Sequence, residues 1–437
     1  MSTMTSVMWF RRDLRLTDNP ALLDAVTSGD GRVLGLFVLD PLLWERSGDP
    51  RREHLAASLR SLSKSMGGRL VLRKGDPATV VPALAEEVGA TGVHIAADYA
   101  PYGQQRDREV EAALNCPLVR TGSPYAIAPG RVLNQQGRSY MVFTPYFKAW
   151  LEHGWRKPVE APKVTWVQAD GDDLPDGDAE GAGEQAALKH WNDYLDTVAE
   201  YDDQRDRPDL DSTSRMSIPL KYGEIHPRTM LADLSHRRSD GAKAYARELA
   251  WREFCADLLS RNPHAAWKPL RSEFDKMQYD EPDELFDAWR EGRTGFPFVD
   301  AGMRQLAGSG FMHNRVRMVV ASFLVKDLHV HWKHGARWFM QSLRDGDLAS
   351  NSLNWQWVAG CGADAAPYFR IFNPITQGLK FDPQGEYVRR WVPELRDLAG
   401  KAAHEPWKHG GADGYPAPVV DHAEARQESL RRYDAIR

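Results

Sequence analysis

Five short apolar runs alternate with helix-length stretches over the first 130 residues, and this alternation constrains the fold more than any other feature of the chain. Ser6–Phe10, Val33–Asp40, Arg69–Arg73, Gly92–Ala97 and Pro117–Arg120 have the length and apolar character of strands. Helical patterns lie between them at Arg52–Met66, Ala78–Val88 and Gln104–Leu114. Strands buried on both faces carry apolar runs without polar alternation, and helices that return the chain make such strands parallel. The expectation for residues 1–130 is an α/β domain with a Rossmann-like parallel sheet. Ligands of such sheets sit beyond the carboxyl ends of the strands.

The pattern stops after residue 130. Residues 131–186 include the acidic, turn-rich stretch 170–183 (DGDDLPDGDAEGAG) and read as an interdomain linker. From 187 to 437 the periodicity is helical. Leu249–Leu259, Phe298–Leu306 and Arg315–Leu328 place apolar residues three and four apart. An all-α domain is expected there. Ten of the 15 Trp fall in this second part. Buried indoles need a partner for their N–H, so either a large core or a flat ligand has to account for them.

Composition closes several classes of function. No uncharged apolar stretch approaches the ~18 residues of a membrane helix, so no membrane association is expected. The N-terminal apolar segment ends at Arg11 and Arg12, too short for a secretion signal. Cys116, Cys255 and Cys361 are widely spaced and suggest a reducing, cytoplasmic setting without disulfides. The formal net charge is −5, so a nucleic-acid site has to be a local patch. Residues 301–380 supply one, with nine Lys or Arg against four Asp or Glu. There is no GxGxxG, no P-loop and no GxSxG elbow. His329, His331 and His334 crowd together without a nearby Glu or Cys, and no metal is expected.

Three segments concentrate polar chemistry. Thr213-Ser-Arg-Met-Ser217 follows the charged loop Tyr201–Arg205. Hydroxyls at a helix start hold a phosphate or simply cap the helix. Met312-His-Asn-Arg-Val-Arg-Met318 opens an apolar helix on which Arg315 and Arg317 point in different directions. Asp345 and Asp347 flank a Gly turn before Asn351, Trp355 and Trp357. Such carboxylates bind a metal, a ribose or an N–H-rich ring, or cap a helix, and paired indoles stack on flat ligands.

In this order and combination the chain resembles the DNA photolyase/cryptochrome family, and is most similar to class I cyclobutane pyrimidine dimer photolyases. The resemblance rests on WFRRDLRLTDNP at Trp9–Pro20, on TSRMS, on Glu248-Leu-Ala-Trp-Arg-Glu-Phe254 and on Gly295–Leu306. It continues through MHNRVRM, DGDLASN, WQW and APYFRIFNP. It implies an N-terminal α/β domain, a long linker and a helical domain that holds FAD, reduced when active. By motif, Tyr201, Thr213, Ser214, Arg215, Met216, Ser217 and Tyr245 belong to the cofactor site. So do Arg252, Asn314, Arg317, Asp345 and Asp347, with Arg317 paired to Asp345 and Asn351 facing the flavin's reactive nitrogen. A neutral amide there can donate or accept without adding charge beside an anion.

The resemblance also implies a lesion site for a flipped-out dimer. Glu248 would hydrogen-bond the dimer, with Trp251 and Trp357 as stacking walls. Arg252, Asn314, Arg315 and Met318 complete that set, and Gln377 and Arg205 would contact DNA. Asn314 and Met318 replace the His-rich version of the six-four enzymes. The implied reaction is light-driven electron transfer from excited reduced FAD to the dimer. The alternative is a cryptochrome-type blue-light sensor without repair activity. The partner is UV-damaged DNA, double- or single-stranded, met by a monomer without an obligate protein partner.

The chain departs from the family at four places. An electron relay of three Trp is matched by Trp355 and Trp332, but its third position is Tyr279. The common Asn before the lesion Glu is Arg247, and Tyr245 stands where other members carry Trp. Folate-binding members carry Asn-Glu before the helix expected from Gln104, where this chain reads Ala100-Pro-Tyr-Gly-Gln-Gln. The resemblance implies that a second antenna chromophore, where there is one, is a deazaflavin rather than a folate, the alternative being an empty site.

Overall fold

The computed structural model describes residues 4–364 and 369–437. The chain divides into two compact units, one comprising residues up to Ala199 together with Ser214–Pro263, the other Glu200–Thr213 together with His264–Arg437.

The first unit is built on a parallel sheet. Its strands are β1 (Thr5–Phe10), β2 (Arg32–Leu39), β3 (Leu70–Lys74), β4 (Ala90–Ile95), β5 (Leu118–Arg120) and β6 (Thr165–Trp166). The order is β3-β2-β1-β4-β5, every pair parallel. Residues of β1 alternate between two apolar clusters. Met8 and Phe10 join Val33, Phe37 and Leu39 on one face, while Val7 and Trp9 join Leu34, Leu36 and Val38 on the other. Both faces are covered, which is why the strands show no polar alternation. Each such apolar side chain contributes roughly 1.5–3 kcal/mol by leaving water.

Helix starts follow local chemistry. Asn19 accepts from Leu22 N ahead of Pro20–Ser28, and Asp76 accepts from Ala78 N ahead of Pro77–Glu87. A capping oxygen followed by Pro is a strong start signal. Helix Pro20–Ser28 has that signal but no counterpart in the sequence expectations. The helix expected from Gln104 begins at Pro101, since Pro in the first turn costs no hydrogen bond.

The 131–186 stretch is more structured than its composition suggests. It contains the helix Phe143–His153 and β6, which pairs with Arg32 and Val33. Asp172 N bonds Leu72 O at 2.7 Å, and Arg73 Nε donates to Asp170 O at 2.9 Å. The acidic segment thus runs along β3.

Residues 214–263 join the sheet unit through buried carboxylates. Glu224 accepts from Ser58 Oγ (2.5 Å) and Gly183 N (2.7 Å). In the helix Asp240–Arg261, Glu253 accepts from Ala126 N, Ile127 N (3.1 Å) and Trp150 Nε1 (2.7 Å), and Asp257 accepts from Gly130 N (2.5 Å). Burial pushes both carboxyls up from their ordinary range.

Among the described residues the second unit consists of helices with one isolated parallel bridge, Asp280–Val330. Helices Pro297–Ser309, Asn314–Lys326, Trp332–Ser342 and Leu348–Ala359 enclose one apolar core. Gly302 permits a close crossing, because a Cβ there would lie 2.5 Å from Val316 Cγ1. Asp300 ties the start of its helix by accepting from Thr294 N, Thr294 Oγ1 and Tyr415 OH. Among the described residues no helix is long and apolar enough to cross a membrane.

Candidate functional site

In the first unit the helix Asp240–Arg261 carries Glu248, Trp251 and Arg252, all half-buried. Spacings of three and four put them on one helix face. Arg252 lies over the Tyr125 ring (4.7 Å) and donates to the carbonyls of Pro124 (2.9 Å) and Leu220 (3.2 Å). It braces two backbone segments beside the expected lesion residues. Trp251 stacks on Phe143, centroids 3.6 Å apart and planes 8° from parallel.

The TSRMS segment straddles the division between units. Ser214 Oγ meets Tyr245 OH at 2.6 Å, and His190 Nε2 lies 2.6 Å from the Ser214 carbonyl, to which it donates. Tyr245 packs against Trp191 and Tyr194. Arg215 holds φ +52°, a conformation that non-Gly residues seldom adopt away from functional turns. Met216 is buried and precedes the short helix Ser217–Tyr222. Thr213, in the second unit, has a buried Oγ1 with no hydrogen-bond partner among the described residues. A buried hydroxyl without a partner is costly unless a ligand meets it, so the segment suits a phosphate or ribityl group.

In the second unit Arg317 and Asn351 lie in the first turns of helices, Asp347 is an N-cap and Asp345 precedes it. Arg317 grips Asp345 at 2.9 and 3.2 Å, and its Nε donates to Met312 O at 2.7 Å. Asp347 caps the helix Leu348–Ala359 by accepting from Ser350 N (3.0 Å). Asn351 Nδ2 donates to the Ala336 carbonyl at 2.9 Å. The amide is thereby oriented, and its carbonyl oxygen remains as an acceptor. That is the group a reduced flavin's N–H requires. The paired charges of Arg317 and Asp345, the capped Asp347 and the oriented Asn351 amide fit FAD.

The other expected residues of this unit have distinct surroundings. Arg315 pairs with Asp206 (2.8 Å) and stands over Phe381 (4.3 Å). Arg205 stands over Tyr201 (5.6 Å). Asn314 is exposed at a helix start, and Met318 packs against the core. Trp357 Nε1 donates to Asp364 O (3.1 Å), with Arg370 over its ring (5.7 Å). Gln377 Oε1 is buried without a partner among the described residues. Ala365–Tyr368 of the APYFRIFNP motif lie outside the described residues.

The expected electron path has a buried and a half-buried part. Trp355 and Trp332 are buried, and Tyr279 is half-buried. Gly335 lets Trp355 approach its helix, since a Cβ there would lie 2.2 Å from Trp355 Cη2. His331 lies between the other two rings, 5.6 Å from Trp332 and 4.6 Å from Tyr279. It caps Trp332–Ser342 by accepting from Lys333 N (3.1 Å), and burial pushes its pKa down to about 4. Burial raises the Tyr279 phenol pKa, so the neutral phenol is the ground state. Trp289 sits edge-to-face on Trp355 at 6.3 Å, an aromatic neighbour that no sequence expectation had included.

Lys326 was also missed. Its buried amine donates to the Arg370 carbonyl and stands 4.2 Å over Phe369, and burial lowers its pKa to about 7. With Phe372 N on Ser322 Oγ (3.3 Å), it ties the described part of the APYFRIFNP segment to the helix Asn314–Lys326. Its only sequence signal was a Lys inside an apolar helix.

Residues 6–163 match the family described as DNA photolyase, and residues 245–435 match the FAD binding domain of DNA photolyase. A protein of Streptomyces griseus named deoxyribodipyrimidine photo-lyase is 44% identical over 453 residues, covering 96% of this chain and 97% of that one. The solved bacterial class III photolyase of Agrobacterium tumefaciens aligns with a TM-score of 0.91 at 38% identity, covering 100% of this chain and 98% of that one. The solved Synechocystis cryptochrome aligns with a TM-score of 0.89 at 27% identity, covering 99% of this chain and 100% of that one.

Proposed function

The chain belongs to the DNA photolyase family, and on that premise we propose that it is a deoxyribodipyrimidine photo-lyase, a carbon–carbon lyase that repairs cyclobutane pyrimidine dimers in DNA. The observation that carries this reading is Asn351, whose amide is turned by the Ala336 carbonyl to present an oxygen. Reduced FAD, when bound and excited by blue light, supplies the electron that opens the cyclobutane ring.

The chain's own residues bind, orient and stabilise. Within the first unit Ser214, Arg215, Met216, Ser217 and Tyr245 offer groups for the phosphate and ribityl part, and within the second unit Tyr201 and Thr213 do. Arg317 holds Asp345 in place through a two-pronged ion pair, and Asp347 is fixed by its helix cap. Within the first unit, Glu248 hydrogen-bonds the flipped dimer, which favours the charge that develops there, and Trp251 stacks on it. Arg252 anchors the helix that carries both to the Pro124 and Leu220 carbonyls. Within the second unit, Trp357 stacks, Asn314 and Met318 shape the lesion contact, and Arg205, Arg315 and Gln377 meet DNA. Trp355, Trp332 and Tyr279 form the relay that restores the reduced cofactor.

An antenna chromophore, if carried, is a deazaflavin rather than a folate. The helix at Pro101 is preceded by Ala100, which offers no side-chain cap, in place of Asn-Glu. The enzyme acts in the cytoplasm as a monomer on single- or double-stranded DNA, without an obligate protein partner.

Repair of a thymine-dimer oligonucleotide by the reduced, FAD-loaded protein under blue light tests the proposal. Light-dependent restoration of the two thymines is expected. Absent or light-independent repair overturns it in favour of a sensor.

A further inference from the structure

Arg247 directly precedes Glu248, at a position where the family commonly has Asn. It lies four residues before Trp251 on the helix Asp240–Arg261, so the two side chains share a face. Its guanidinium stands over the rings of Phe143 (5.2 Å) and Phe147 (5.6 Å), both on the helix Phe143–His153. Phe143 in turn stacks on Trp251 at 3.6 Å, and on Phe147 at 5.7 Å. The cation thus stands over Phe143, the ring that stacks on Trp251, and over the neighbouring Phe147.

Arg247 is exposed, and among the described residues it has neither a carboxylate partner nor a hydrogen-bond acceptor. This sets it apart from Arg252, whose N–H groups are committed to carbonyls, and from Arg315, which is paired with Asp206. Exposed Met141, Val142 and Lys148 lie on the chain entering and following Phe143. A planar fork of five donors, pre-ordered on aromatic rings and unneutralised, matches a phosphate oxygen pair. Pre-ordering removes much of the side-chain entropy that such a contact otherwise costs.

We infer that Arg247 contacts a backbone phosphate of the DNA strand that presents its lesion to Glu248 and Trp251. The contact rests on the DNA-repair reading. It adds affinity without sequence or damage preference, since phosphate contacts position a duplex and base contacts specify it.

The test compares wild type, Arg247→Met and Arg247→Lys, each loaded with FAD. Binding of one duplex with and without a thymine dimer is followed across salt concentration, and repair kinetics are measured in parallel. For Arg247→Met the slope of log K against log salt should shrink by about 0.9, the share of one duplex phosphate contact. Both duplexes should weaken by the same factor, and the repair loss should fall on KM rather than kcat. Arg247→Lys should keep the slope. An unchanged slope in Arg247→Met overturns the inference, because a ring-shielding Arg would not move it. Loss of the damaged-to-undamaged ratio also overturns it, placing Arg247 in lesion recognition instead. If Arg247→Met loses its flavin spectrum, Arg247→Gln is read by the same criteria. Failure of the repair reading itself looks different: the wild type would then lack both dimer preference and light-driven repair.

Discussion

The helices Asp240–Arg261 and Leu348–Ala359 both carry candidate site residues, and both brace a neighbouring loop through side-chain-to-backbone hydrogen bonds. The first does so with carboxylates: Glu253 and Asp257 accept the N–H groups of Ala126, Ile127 and Gly130. The second uses a neutral amide. Gln356 Oε1 accepts from Leu270 N (2.8 Å), and its Nε2 donates to Ala265 O (2.7 Å) and Lys268 O (3.0 Å). An amide satisfies donors and acceptors at once and carries no charge. A carboxylate can only accept while ionised, and its burial opposes ionisation. The two braces should therefore differ in their response to pH.

The largest expected effect is at Gln356. Gln356→Leu leaves one N–H and two carbonyls without their Gln356 partner, one of the three in a fully buried contact and two half-buried; at ~1–3 kcal/mol for a buried group and less for a half-buried one, the cost is roughly 2–5 kcal/mol. Urea denaturation measures it, and the loss should not vary with pH. A cost below about 1 kcal/mol would show that the loop repairs itself and would break the contrast.

Glu253→Gln should cost less, because the amide still offers an oxygen, but its cost should titrate. Burial raises the folded-state pKa of Glu253 above the ordinary 4.5. Below 4.5 both states are protonated, and above the raised pKa neither is. Between these limits the folded state alone keeps the proton, so wild-type stability falls as pH rises, by at most about 1.4 kcal/mol per pH unit. The difference between wild type and Glu253→Gln should carry that slope. A flat difference would mean that the hydrogen bonds have cancelled the burial term.

The smallest structural effect is expected at Tyr279, which braces no loop. Tyr279→Phe should barely move thermal unfolding, yet it should lower the yield of long-lived radicals in transient absorption. An unchanged yield would remove Tyr279 from the relay and point to Trp289 instead.

The contrast also shows what sequence reasoning reaches. The five strands were legible because apolar runs report burial on both faces, and β6 was not, because two residues have no period. The Arg317–Asp345 pair was legible by motif order. Gln356 and Glu253 sit inside the quoted motifs WQW and ELAWREF, but their roles depend on loops far along the chain. No local pattern records which carbonyl a Gln will meet. Lys326 was hidden for the same reason, since its partner Arg370 is 44 residues on.

β6 has a consequence for the order in which the chain is made. It pairs with Arg32 and Val33 on the side of β2 that β3 takes up only from Gly35 onward. Thr165 N and Val167 N bond Gly31 O and Val33 O, each at 2.8 Å. A nascent chain that has emerged only to residue 130 has every other strand available but leaves this corner of the sheet with open carbonyls. Open strand edges are templates for other chains. On a polysome, where growing copies lie close together, these carbonyls stay open until Val167 clears the ribosome, and the Leu72 carbonyl of β3 until Asp172 does.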